Sequence, residues 1–251
     1  MHFKNAFPIL RVICLTFKLK NYLFLFEPLK VCFQCLFTAE LTHLWDFTNW
    51  TAKDQVDGSS LALHDGATCS AWIIGYNKFP PPYFLQLNNG YAALPSGVYF
   101  NSEFSIAAKV YLGTSFDKWS RIIEFGVGKS VDNIILMFND GDTSHYYPSF
   151  YVLYSNTKQI SVKSSINLSD VSSDFGWICI VATFESTQEK IYINKILAGT
   201  TTYDSFLPRN VTRTKNYIGG SSWGGSETDS LVREIRTYTG VLTTEEISSL
   251  S

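Results

Sequence analysis

Gly220-Ser221-Ser222-Trp223-Gly224 fits the G-x-S-x-G pattern, in which a serine is presented on a sharp strand-to-helix turn as a nucleophile. In the hydrolase order an acid and then a histidine must follow that serine. The last histidine here is His145, and no helical period follows Gly224, so "GGSSWGGS" reads instead as a loop between edge strands. Paired carboxylates offer no convincing acid and base either. Glu185 and Glu189 lie on either side of a turn, and Glu245 and Glu246 belong to a helix start.

Binding chemistry has more candidates. Asn139-Asp140-Gly141-Asp142 is a compact oxygen-rich turn after a strand, and Asp132 lies before the same strand. Asp132, Asp140 and Asp142 thus form a candidate Ca²⁺ set of hard oxygen donors, although acidic glycine turns are ordinarily only turns. Trp223, Tyr146, Tyr147 and His145 fall on predicted loops, where an aromatic ring can stack on the apolar face of a sugar. Their alternative role is to cap the sandwich edge as core. Trp45, Trp72, Trp119 and Trp177 are read as core or rim packing.

Cys32 and Cys35 form a C-x-x-C pair, but no second ligand pair follows at zinc spacing. Cys69 and Cys179 are the cysteines of the body; they either make one disulfide in an oxidising compartment or remain thiols, Cys179 on a buried central strand. Asn49-Trp50-Thr51, Asn167-Leu168-Ser169 and Asn210-Val211-Thr212 are N-glycosylation sequons.

The elements that must position these side chains are strands. Aromatics make up 16% of the 251 residues and charged residues 17%, a balance that favours sheet over long surface helices. In Phe104–Leu112 the even-numbered positions Phe104, Ile106, Ala108, Val110 and Leu112 share one face, the period of a half-buried antiparallel strand. Residues 121–127, 133–138 and 149–155 follow as further strands. Residues 176–185 are apolar on both faces and read as central, with Ile178, Ile180, Ala182 and Phe184 as an inner row. A hairpin turns at Asn194-Lys195. Residues 69–82 hold "KFPPP", which forbids a central strand and reads as an inserted loop. Thr243-Thr244-Glu245-Glu246 is a capping box that starts one short helix, whose Ile247 and Leu250 are expected to close the open end of a sandwich.

Residues 1–40 differ in kind. They are apolar and basic, but Arg11, Lys18, Lys20, Glu27 and Lys30 interrupt every run before the roughly 18 apolar residues that a membrane span needs. Two readings stand: a secretory leader, or an extension foreign to the mature protein. The remaining 211 residues carry 15 basic and 20 acidic side chains. That mildly acidic body, without a basic aromatic face, argues against nucleic-acid binding.

Four stretches in order resemble the laminin G-like, concanavalin A-like jelly-roll superfamily. "VDGSSLALHDG" is similar to an early family segment, residues 85–112 to the "L-x-F-D-G-x-x-Y-V-x-x-P" region, and residues 175–200 to the "W-x-H-V-A-V-T-Y-D … L-Y-V-N-G" hairpin. "LVREIRTYTGVLTTEEI" is similar to the closing run, through Glu234, Ile235, Arg236, Tyr238, Leu242, Glu246 and Ile247. Cys179 replaces a usual His, and Lys109 stands where Trp is frequent. The resemblance implies one all-β domain over residues 41–251, a two-sheet antiparallel jelly-roll sandwich with a short C-terminal helical turn. It also implies Ca²⁺ in rim loops in some members. Glucanases of this fold carry E-x-D-x-E on one strand, and this sequence has no such triplet. The expected role is a noncatalytic, extracellular module binding carbohydrate or glycoprotein through its loops. The alternatives are a glycan-degrading enzyme with unrecognised carboxylates and a structural adhesion module without a glycan ligand.

Overall fold

A chain of alternating apolar and polar residues satisfies its backbone in sheets and buries one face of each against the other. The computed structural model shows this arrangement for residues 39–71, 83–113, 117–142, 144–155, 158–171, 176–225 and 228–250. The segment up to residue 38, Trp72 and the "KFPPP" stretch lie outside the described residues.

The strands in chain order are β1 (Glu40–Asp46), β2 (Ala62–His64), β3 (Thr68–Ala71), β4 (Tyr83–Gln86), β5 (Tyr91–Ala93), β6 (Phe104–Tyr111), β7 (Arg121–Gly126) and β8 (Ile134–Met137). There follow β9 (Ser149–Ser155), β10 (Lys158–Lys163), β11 (Trp177–Glu185), β12 (Gln188–Ile193), β13 (Ile196–Thr202), β14 (Lys215–Ile218) and β15 (Leu231–Thr239), then the helix α1 (Thr244–Ser249). Cys69 therefore sits within a strand rather than at the start of a loop.

One eight-stranded sheet runs β13-β12-β11-β6-β15-β4-β3, with β1 also paired to β15. The other, seven-stranded, runs β10-β9-β8-β7-β14-β5-β2. The two sheets form an antiparallel jelly-roll sandwich. The inner rows meet in one core that holds Phe104, Ile106, Ala108 and Val110 from β6, Ile178, Ile180, Ala182 and Phe184 from β11, and Ile134, Leu136, Phe150 and Val152 from the facing sheet. The expected inner row of β11 is thus the observed one. The β12–β13 hairpin turns at Asn194 and Lys195, both with positive φ, and Asn194 secures it by accepting the Cys179 N–H at 2.8 Å. No helix among the described residues is long and apolar enough to cross a membrane.

Two expectations need correction. α1 has its capping box, but it does not close the open end of the sandwich. Ile247 packs with Ala107, Cys179, Val181, Tyr192, Tyr238 and Leu242, a cluster separate from the main core on the outer face of the eight-stranded sheet. Those outward positions of β6, β11, β12 and β15 are apolar, and without the helix they would face water. Nor does the 219–225 segment join edge strands. It leaves β14, which lies between β7 and β5, and leads toward β15, which lies between β6 and β4.

Candidate functional site

A cleft of about 410 Å³ opens on the outer face of the seven-stranded sheet. Trp119, Arg121, Ser130, Ile135, Met137, Tyr151, Leu153, Gln159 and Trp223 line it with Gly224 and Gly225. Its floor follows from strand pairing. Ile135 of β8 lies opposite Tyr151 of β9, and Leu153 of β9 opposite Gln159 of β10, so these side chains point the same way. Trp223 packs on Ile135, Met137 and Leu153 from the β14–β15 connection.

Arg121 reaches this face through a β-bulge. Regular alternation puts residues three apart on opposite faces of a strand. The register of β7 against β8 shifts between Arg121 and Ile123, so Ile122 and Ile123 both enter the core while Arg121 and Glu124 emerge on the same side. Arg121 Nε then donates to Glu124 Oε2 at 3.3 Å, and its Nη1 donates to the Trp119 carbonyl at 2.6 Å and to Met137 Sδ at 2.5 Å. The guanidinium lies 5.5 Å from the centre of the Trp223 ring. Burial lowers its pKa below the ordinary arginine range, and Glu124 opposes that shift.

Glu124 is fully buried beneath the cleft. Its Oε1 accepts the Ser222 N–H at 3.1 Å, the Ser222 hydroxyl, and Asn133 Nδ2 at 3.4 Å. The serine of the G-x-S-x-G pattern is thereby an anchor for the Trp223 loop.

Of the two expected roles for Trp119, core or rim, its 43% exposure excludes the core. Its backbone is left-handed, with φ of 64°, a conformation that bulky residues adopt only when their surroundings impose it. Asn139, fully buried, supplies that constraint. Its Oδ1 accepts the N–H groups of Trp119 (2.8 Å) and Gly141 (3.2 Å), while its Nδ2 donates to the Asp117 carbonyl at 3.1 Å. The indole lies directly on Gly141, where a Cβ would sit 2.8 Å from two ring carbons.

The other expected aromatics divide. Tyr146 turns inward and packs against the main core. His145 and Tyr147 form a separate patch, rings 5.8 Å apart, with Lys163 5.4 Å from the Tyr147 ring. Of the four, only Trp223 lines the cleft.

The Ca²⁺ set does not assemble. Asp132 precedes β8 and Asp140 follows it, and the one cluster of metal-type ligand atoms among the described residues includes none of the three aspartates. Each carboxylate has its own partner: Asp132 is held bidentate by Arg209, Asp140 pairs with Lys163 at 2.8 Å, and Asp142 lies 2.9 Å from His145 Nδ1. Backbone and His145 contacts lower the Asp142 pKa.

The one group of metal-type ligand atoms within 4.8 Å of one another, among the described residues, is His43, Asp54 and Asp57, which the sequence reading missed. His43 Nδ1 lies 2.5 Å from Asp54 Oδ2 and 3.9 Å from Asp57 Oδ2. Asp54 also accepts the N–H groups of Leu44 and Val56, so it staples β1 to the following turn.

Cys69 and Cys179 are free thiols, so the expected alternative of a disulfide is corrected. They lie on β3 and β11, four strand intervals apart in one sheet, or about 19 Å at the usual spacing. They also belong to different faces, Cys69 against the main core and Cys179 under α1. Asn49 and Asn210 are exposed, whereas Asn167 is half-buried and caps a 3₁₀ turn with its Oδ1.

Two antiparallel sheets packed face to face in this strand order define a jelly-roll sandwich. The chain belongs to the concanavalin A-like lectin/glucanases superfamily, whose family model matches residues 87–248. No curated protein matches it in sequence. In fold it is similar to domain 4 of AbnA, a GH43 extracellular arabinanase from Geobacillus stearothermophilus, in complex with arabinotriose. The TM-score is 0.63 at 15% identity, over 85% of this chain and 98% of that one. It is also similar to the binding domain of botulinum neurotoxin DC in complex with SialylT, with a TM-score of 0.58 at 12% identity over 85% of this chain. The chain spans about half of that toxin domain, with 50% of it covered.

Proposed function

We propose that this domain is a noncatalytic carbohydrate-binding module acting outside the cell. The observation that carries the reading is the cleft that the exposed Trp119 and the loop-held Trp223 line together with Arg121, Tyr151 and Gln159. Indoles offer flat apolar surface for a sugar ring, and a few polar groups orient its hydroxyls. The arabinotriose and SialylT complexes of the two similar folds support the same class of ligand. A glycosidase would need two carboxyl groups about 5 to 10 Å apart across the groove. The described lining residues include no Asp or Glu, and Glu124 below them is committed to Arg121 and Ser222. Exposed sequons at Asn49 and Asn210 favour a secreted protein.

Oligosaccharide binding, by glycan array and then calorimetry, tests the proposal. Trp119→Ala and Trp223→Ala are each expected to weaken binding about tenfold or more, equivalent to about 1.4 kcal/mol. Chelation of divalent ions is expected to leave binding unchanged, because each of Asp132, Asp140 and Asp142 is already paired. An array without hits would replace this reading with that of an adhesion module.

A further inference from the structure

Resting on that reading, we infer that the cleft selects neutral saccharides over acidic ones, with Arg121 acting as a hydroxyl-directed donor rather than an anion receptor. Arg121 is the one charged side chain among the described lining residues. Its guanidinium shares a buried environment with Glu124, whose side chain is 0% exposed and lies 3.3 Å away. A carboxylate or sulfate entering the cleft would meet the negative charge of Glu124 directly behind the positive charge it seeks. A hydroxyl would meet only a donor.

The geometry of the fork leads to the same conclusion. Strong carboxylate recognition by arginine uses two parallel N–H groups from two nitrogens. Here Nε is taken by Glu124, and Nη1 by the Trp119 carbonyl and Met137 Sδ. Among the described residues, Nη2 is the one nitrogen of this fork with no acceptor, too little for a bidentate clamp that draws on two nitrogens. The other polar lining groups, Ser130, Tyr151 and Gln159, are neutral.

The surrounding cations do not restore an anion site. Arg209 is bound to Asp132, Lys163 to Asp140, and Lys158 lies over the Phe206 ring. Lys129, next to Ser130, stands exposed in solvent. Lys118, next to Trp119, is exposed as well, and neither lysine is buried in the cleft wall, so their charges act through solvent and weaken with added salt.

The test is calorimetry on the whole protein with matched pairs: lactose against sialyllactose, and oligogalactose against oligogalacturonate, with arabinotriose as a further neutral probe. Each is measured at about 50 and 300 mM salt, which spans strong and weak screening. Neutral members are expected to bind with affinities that change less than about twofold between the two salts, and acidic partners to bind about threefold or more weaker. Acidic members that bind as tightly as their neutral partners, or tighter with an advantage that salt removes, would overturn the inference while leaving carbohydrate binding intact. Failure of every neutral and acidic probe would overturn the carbohydrate reading and this inference with it. Glu124→Gln releases the charge of Arg121 and is expected to shift the acidic-to-neutral affinity ratio about tenfold toward acid. A folded variant with an unchanged ratio contradicts the charge-cancelling role, and if the variant does not fold the wild-type pairs still decide.

Discussion

Glu189 carries its carboxyl on the same face of β12 as Ile191 and Ile193, pointing into the sandwich. Neither of its oxygens has a hydrogen-bond partner among the described residues, and burial raises its pKa well above the ordinary glutamate value of 4.5. Below that value both folded and unfolded chains are protonated and the cost of burying a charge is absent, leaving only that of an unpaired neutral carboxyl. Above it the unfolded chain releases its proton first, so stability falls as pH rises until the folded carboxyl ionises as well. Glu189→Met, of similar length and apolar, is therefore expected to stabilise more at pH 7.5 than at pH 4, by about 1 kcal/mol or more. Urea unfolding at both pH values checks this; an equal gain at both would remove Glu189 as the source. The inward phase of Glu189 was readable from the period of β12, but a glutamate between Gln188 and Lys190 reads as surface on composition. Trp119 was less legible still. Its exposure depends on a positive φ imposed by Asn139, 20 residues away in sequence, which no local pattern encodes.

At the scale of elements, the capped C-terminus was legible down to its two hydrogen bonds, because a capping box is purely local. The Thr243 N–H donates to Glu246 Oε2 at 2.8 Å, and the Glu246 N–H to Thr243 Oγ1 at 3.2 Å. Its destination was not legible, since that depends on the outer rows of four strands distant in sequence. β11 reads as apolar on both faces, and the reason is α1: Cys179 and Val181 point away from the core and are covered by the helix. Burial pushes the Cys179 thiol up to about 11, so it is neither accessible nor ionised at neutral pH. Thr243→Ala should cost about 1 kcal/mol by loss of the cap, and Ile247→Ala about 2 to 5 kcal/mol by loss of the buried side chain. Both variants should speed alkylation of Cys179, with Ile247→Ala the faster, as read by peptide mapping over time. Labelling rates identical to wild type would mean that α1 does not guard this face. The bulge of β7 follows the same logic. "RIIEF" places two charged residues three apart around an apolar pair, a break in period two that signals an extra residue, yet only the partner strand shows that both charges emerge on the cleft side.

For the whole molecule, the decisive feature is that the chain closes on itself. β1 pairs with β15 from Glu40 opposite Thr239 to Asp46 opposite Glu234, so the first described strand is held by the last. The sandwich class was legible because the inner rows of β6 and β11 obey period two, and the two-sheet partition followed from the family resemblance rather than from periodicity, which cannot tell which sheet a strand joins. Contacts cluster over residues 37–251 as one unit. A chain beginning at Phe37 is accordingly expected to keep the cooperative melt of the full sequence, with near- and far-ultraviolet circular dichroism transitions that coincide. A chain beginning at Ala52 is expected to lose it. That cut removes β1 together with Trp45 and Phe47, which are 1% and 0% exposed. Loss of one buried large aromatic costs about 3 to 5 kcal/mol, so two plus the β1–β15 ladder exceed much of the roughly 5 to 15 kcal/mol that holds a domain folded. If the shorter chain melted like the longer one, closure by β1 would not be what stabilises the sandwich; if the chain from Phe37 failed to fold, residues 1–36 would be part of the folding unit.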